Sequence, residues 1–163
     1  MLTYSARDLR IRLYACLGVE RWVDEVAAGA PYTEANALVD AARRAATPLT
    51  RLEVDEALAG HPRIGQAPTG AGAAQQFSRR EQSSVDADDA ELASSLAAGN
   101  RDYEVRFGRV FLIRAAGRTR AEILAELNRR MLLPDEVEAL IVASELREIA
   151  LLRLTALIEL GAA

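Results

Sequence analysis

The sequence predicts an all-α fold, on three observations. Alanine, leucine, arginine and glutamate, all strong helix formers, dominate the chain. Period-two runs of β-branched residues are nearly absent. Capping residues, glycines and prolines punctuate the chain at intervals of about one helix length. The expected architecture is a single domain, residues 1–163, built as an irregular bundle of about eight helices with one short extended segment near residues 110–114. With 50% apolar and 27% charged residues the chain is hydrophobic enough to fold, and it is too short for two comfortable domains.

"SARDLRIRLYACL" puts Leu9, Leu13 and Cys16 on one helical face, and "VERWVDEVAAGAP" reads as a second short helix stopped by Gly29 and Pro31. "TEANALVDAARRAAT" opens on a Thr cap and ends before Pro48; "TRLEVDEALAG" opens on Thr50 and ends at Gly60. Residues 65–76, "GQAPTGAGAAQQ", are Gly-rich and predict a mobile surface loop. Their "GAGAAQ" is no dinucleotide fingerprint, because no strand precedes it and the third glycine is missing. "FSRREQ" restarts a helix, with Ser78 and Glu81 spaced as a capping box.

A long helix from Asp88 to about Phe107 follows, with Leu92, Leu96, Tyr103 and Phe107 suited to a buried stripe despite Gly99. "GRVFLIRAAGRT" breaks the helical period, and its apolar core from Val110 to Ile113 reads as extended and inserted into the core. "TRAEILAELNRRM" carries a second capping box, Thr119 to Glu122. The longest helix opens with Pro134 in its first turn and acids after it, favourable near the positive end of the helix dipole.

Composition excludes several chemistries. All 20 basic residues are arginine, so there is no lysine for a Schiff base, a pyridoxal-phosphate anchor or a phosphate loop. A formal charge of -4 argues against a nucleic-acid surface. One His and one Cys cannot supply the usual ligands of a metal site, and "DADDAE" at 86–91 reads as a solvated helix start rather than a carboxylate-only magnesium site. Cys16 reads as a small buried hydrophobe in a reducing compartment. The N-terminus lacks the order of a signal peptide, the apolar stretch near 137–160 is broken by Glu145, Arg147 and Glu148, and "ELGAA" is no peroxisomal address. The expectation is a soluble, cytoplasmic protein that engages neither membrane nor nucleic acid.

His61, in "EALAGHPRIGQAPTG", is the one imidazole. It titrates near neutral pH without perturbation, and it sits between a helix-ending glycine and a stiffening proline. The plain alternative is a helix cap or loop filler. Glu81 has an equally plain role in the capping box, and Gln82 could be an exposed helix residue. Arg153, inside the apolar "ALLRL", needs an acid such as Glu148 or an anionic ligand.

His61-Pro62, "SRREQ" from Ser78, "NRDYEVRFGRVFLIRAAGRT" from Asn100 to Thr119 and "ELREIALLRL" from Glu145 together resemble one family. It is the decarboxylase of 2-oxo-4-hydroxy-4-carboxy-5-ureidoimidazoline (OHCU), which acts on the route from urate to allantoin. The resemblance spans nearly the whole chain, and its most specific parts are the Ser-x-x-Glu-Gln element and the "N..Y...FG..F.I...G" run. It implies an all-α, cofactor-free homodimer acting on a small ureidoimidazoline. It implies further that His61 and Glu81 are the acid–base pair, that Ser78, Gln82 and Arg153 hold the substrate with Pro62 beside them, and that backbone around Phe111 and Ile113 borders the pocket. Many relatives follow His-Pro with an acid, where this chain has Arg63. Two rivals stand beside this reading: a non-catalytic module using the C-terminal helix for dimerisation or partner binding, and a different acid–base enzyme on the same scaffold.

Overall fold

Helix propensity and capping locate the elements. The computed structural model describes residues 5–65, 72–86 and 88–162, without the side chains at 73–75, 78, 161 and 162. Among the described residues there are eight helices and no strand: α1 (Ala6–Cys16), α2 (Glu20–Ala28), α3 (Ala35–Ala45), α4 (Arg51–Leu58), α5 (Ala73–Glu81), α6 (Ala90–Phe107), α7 (Arg120–Arg130) and α8 (Asp135–Ala162). None is long and apolar enough to cross a membrane. The chain divides into two units: residues 1–57 with 146–163, and residues 58–145.

In the first unit, Ser5 caps α1 by accepting from Asp8 N–H at 3.1 Å, and Leu9, Leu13 and Cys16 are buried on one face as the periodicity predicts. Fully buried Trp22 on α2 donates its indole N–H to Ala42 O on α3 at 2.9 Å, so the largest apolar ring in the unit carries a satisfied polar handle. The Thr cap expected before α3 is not used: Glu34 holds the cap position without a side-chain bond. At α4, Thr50 and Glu53 cap each other reciprocally, with Thr50 N–H donating to Glu53 Oε2 at 2.7 Å and Glu53 N–H to Thr50 Oγ1 at 3.3 Å. The Arg21 guanidinium beside Glu53 holds its carboxyl down at about 2.

The second unit is organised around α6 and α7. Asp89 caps α6 by accepting from Glu91 and Leu92 N–H groups, and Thr119 and Glu122 form the predicted capping box on α7. Gly99, counted in sequence as a weak point of α6, has a packing reason. A Cβ there would lie 2.9 Å from Leu127 Cδ2, so the glycine leaves the room that the Leu127 side chain of α7 fills. One core cluster includes Ile64, Leu96, Tyr103, Phe107, Phe111 and Ile113. Leu92 is only half-buried, and the inward stripe contains Asn100 as well as the apolar residues.

Two boundaries depart from expectation. α5 begins at Ala73, so residues 73–76 belong to a helix rather than a loop, and Ser78 lies inside α5 instead of capping it. Glutamine and alanine propensity outweighs the glycines preceding them. The loop prediction for 66–71 lies outside the described residues.

Candidate active site

His61 follows the end of α4, where its N–H donates to Leu58 O at 3.0 Å. Three residues of loop, Pro62 to Ile64, then separate His61 from Gly65, and each anchor of this stretch comes from a different kind of contact. Arg63 forks onto Glu104 of α6 and holds that carboxyl below the usual range. Buried Asn100 donates Nδ2–H to Ile64 O at 2.9 Å, while the Ile64 side chain joins the core cluster. Gly65 N–H donates to Gln82 Oε1 at 2.8 Å. The imidazole therefore sits on a short arm with fixed ends. Its Nε2 is sealed from solvent although the residue as a whole is half-buried.

The Gly65 bond joins this arm to the end of α5, where Glu81 is the last helical residue and Gln82 follows it. Both are half-buried. With Oε1 accepting from Gly65, the orientation of the Gln82 amide is fixed. Gly65 itself has φ +84°, and a Cβ would meet Leu96 Cδ2 at 3.3 Å. The left-handed conformation favours glycine there, and a Cβ would also press on the Leu96 side chain.

Residues 110–115 are neither helix nor strand, so their backbone groups must find partners among side chains. Arg130 donates Nη1–H to Leu112 O at 2.8 Å, and Arg114 N–H donates to Glu145 Oε2 at 2.5 Å. Arg130 is fully buried and forks onto fully buried Glu138, at 2.9 Å from Nε and 2.5 Å from Nη2. Tyr103 donates to the same carboxylate at 2.5 Å, and burial together with that carboxylate pushes its phenol well up. The Arg130 guanidinium lies 4.6 Å from the Phe111 ring centroid. Phe111 and Ile113 thereby share one core cluster with Ile64 of the histidine loop.

Of the sequence-predicted site residues, His61, Pro62, Ser78, Glu81, Gln82, Phe111 and Ile113 fall in the second unit. The Ser78 side chain lies outside the described residues. Arg153 belongs to the first unit, on α8, and is buried at 4% exposure. Glu148, its suggested acid, pairs with Arg43 at 3.4 Å and Arg147 at 3.2 Å.

The family model for OHCU decarboxylase matches residues 3–155. The chain belongs to the OHCU decarboxylase family. Among curated proteins it is 32% identical over 146 residues to the uric acid degradation bifunctional protein TTL of Arabidopsis thaliana, a match covering 87% of this chain. The chain spans 45% of that relative's length. A solved OHCU decarboxylase, crystallised in the presence of (S)-allantoin, is similar at 27% identity with a TM-score of 0.75, over 91% of this chain and 98% of that one. An (S)-allantoin synthase structure shares the fold, with a TM-score of 0.66 at 16% identity over 94% of this chain and 51% of that one.

This OHCU decarboxylase family member relies on supporting residues that motif spacing did not reveal. Glu104 and Asn100 hold the histidine loop, and Arg130, Glu138 and Glu145 hold the 110–115 segment. Asp86, read in sequence as part of a solvated helix start, accepts from Arg120 N–H at 2.8 Å and Ala121 N–H at 3.0 Å at the first turn of α7, which lowers its pKa. Each is an acid, amide or arginine whose partner is distant in sequence. Asn100, Glu104 and Glu145 lie in stretches that carry the resemblance, but no supporting role is legible for them there; Asp86, Arg130 and Glu138 lie outside those stretches.

Proposed function

We propose that the chain is a cofactor-independent carboxy-lyase that converts OHCU to (S)-allantoin and carbon dioxide in urate breakdown. The family match over residues 3–155 carries this reading, and the solved OHCU decarboxylase crystallised with (S)-allantoin supports it. The unbroken match also supports reading residues 1–163 as one functional domain.

The substrate supplies its own electron sink. A ring carbon bears both hydroxyl and carboxylate beside a carbon–nitrogen double bond. When the bond to the carboxylate breaks, its electron pair forms a carbon–carbon double bond and the former carbon–nitrogen π pair moves to nitrogen, which takes a proton. Carbon dioxide leaves. The resulting enol passes its hydroxyl proton away as the neighbouring carbon is protonated on one face, giving the carbonyl and the stereocentre. One proton is consumed overall. No lysine, metal or thiamine is required by this sequence of steps, only position, charge and controlled proton delivery.

In this reading His61 engages the substrate hydroxyl and Glu81 orients the imidazole, the pair managing the proton between them. Arg153 receives the departing carboxylate or the polar ring edge. Gln82 donates an amide N–H to a substrate oxygen, an assignment supported by the Gly65 bond that occupies its Oε1. Ser78, Pro62 and backbone N–H groups near Phe111 and Ile113 complete the cradle. We also place the protein in the cytoplasm as a homodimer. Leu132 and Leu140, 83% and 72% exposed near the turn from α7 into α8, support self-association.

The test is to feed freshly generated OHCU to the purified chain and follow circular dichroism. Faster appearance of one allantoin enantiomer is expected; a racemic product at the spontaneous rate contradicts the assignment.

A further inference from the structure

The loop after His61 and the middle of α6 enclose a cavity of about 320 Å³, inside the range of small-molecule sites. Its lining includes Ile64, Gly65, Ala93, Ala97, Asn100 and Arg101, and none of the predicted catalytic or substrate-binding residues is among the described residues that form its wall. Ala93, Ala97 and Asn100 recur at helical spacing on one face of α6, so two methyl side chains hollow out the space in which a polar one stands.

Asn100 decides what the cavity can hold. It is 5% exposed, and its Nδ2–H is committed to Ile64 O at 2.9 Å. That bond fixes the amide orientation, since the reverse would set two oxygens against each other. Its Oδ1 is buried with no hydrogen-bond partner. Native structures rarely leave such an acceptor unsatisfied, and one that persists beside a cavity is an acceptor awaiting a donor. Two arginines line the same space. Arg63 is neutralised by its fork onto Glu104, while exposed Arg101 forms no ion pair with the described residues.

We propose that this cavity is a second small-molecule site, which takes a compact ligand with an amide or ureido N–H at one end and a carboxylate at the other. The N–H donates to Asn100 Oδ1, the carboxylate accepts from the Arg101 guanidinium, and the Ala93–Ala97 wall accommodates the short linker. The cavity shares Gly65 and Asn100 with the scaffold of the histidine loop but, among the described residues, contains none of those proposed to touch the OHCU substrate, so binding here and decarboxylation are read by separate variants.

The probe is N-carbamoylglycine, titrated into the isotope-labelled full chain with backbone amide resonances as the readout. Saturable shifts centred on Gly65 and residues 93–101 are expected, with a dissociation constant in roughly the millimolar range. Arg101→Gln and Ala97→Leu should each weaken binding by about tenfold, the first by removing a charge-assisted hydrogen bond and the second by filling the space, with turnover of OHCU unchanged. Acetamide and acetate, each carrying half the recognition, should bind more weakly than the probe. If Ala97→Leu does not fold, Arg101→Gln alone decides. Absence of saturable shifts, binding that survives Arg101→Gln, or shifts centred on His61, Glu81 and Gln82 instead would overturn the proposal; the last result would leave the decarboxylase assignment intact.

Discussion

Replacing Arg130 by methionine is expected to destabilise the protein by about 3–5 kcal/mol, because it strands a buried carboxylate. Glu138 and Arg130 are both fully buried, and the guanidinium supplies every cationic hydrogen bond that the carboxylate receives among the described residues. After the change the Tyr103 hydroxyl is the one donor left on it among the described residues. Removing the charge and the phenol as well, in Arg130→Met/Glu138→Leu/Tyr103→Phe, leaves Leu112 O without its donor, at about 1–3 kcal/mol, and takes the Tyr103 hydroxyl away from Arg109. The triple variant is therefore predicted to be more stable than the single one, although it departs further from the natural sequence. Urea unfolding followed by circular dichroism reads both, with the midpoint moving and the slope held. A single variant within about 1 kcal/mol of wild type, or a triple variant no more stable than the single, would refute the reasoning.

Glu53→Gln should lower stability at pH 7 by about 2 kcal/mol, since Gln cannot accept as a charged partner of Arg21. Glu53 is depressed in the folded state to about 2, so its contribution is present above the ordinary 4.5 and is lost as pH falls from there toward 2. Urea midpoints of wild type and variant should converge over that window; a constant gap would contradict the assignment. Gly65→Ala forces an L side chain to φ +84° against Leu96, at a cost of about 1–2 kcal/mol, and should raise KM for OHCU by disturbing the Gln82 amide. An unchanged KM would sever that link. Arg153→Ala should raise KM sharply, and Arg153→Lys should restore it poorly, lacking the planar fork. A KM indifferent to both would make Arg153 a structural residue.

The helices were legible because their signals are local. Thr119 and Glu122 lie three residues apart and form the capping box that spacing predicted, and Leu9, Leu13 and Cys16 are buried as one face. α5 was misread because glycine-rich composition just before it was extended over "AAQQ", which helix propensity claims. The His61 loop and the Ser78–Gln82 element were visible as motifs, yet what fixes the loop was not. Glu104 lies 41 residues from Arg63, and Asn100 lies 36 from Ile64; no periodicity announces such pairs. Glu138 is the clearest case. In sequence it is one more acid in the first turn of a long helix, whereas in the structure it is buried, neutralised by Arg130 of α7 and hydrogen-bonded by Tyr103 of α6.

In the proposed reaction the imidazole at position 61 carries the greatest part. Its direct test is OHCU turnover by purified His61→Ala, followed by circular dichroism of the allantoin formed and checked against wild type for equal helicity. Loss of a general acid–base group predicts a rate lower by at least about 10²-fold, with enantiomeric excess falling as the spontaneous reaction takes over. A folded variant that still delivers one enantiomer at the wild-type rate would contradict the proposal.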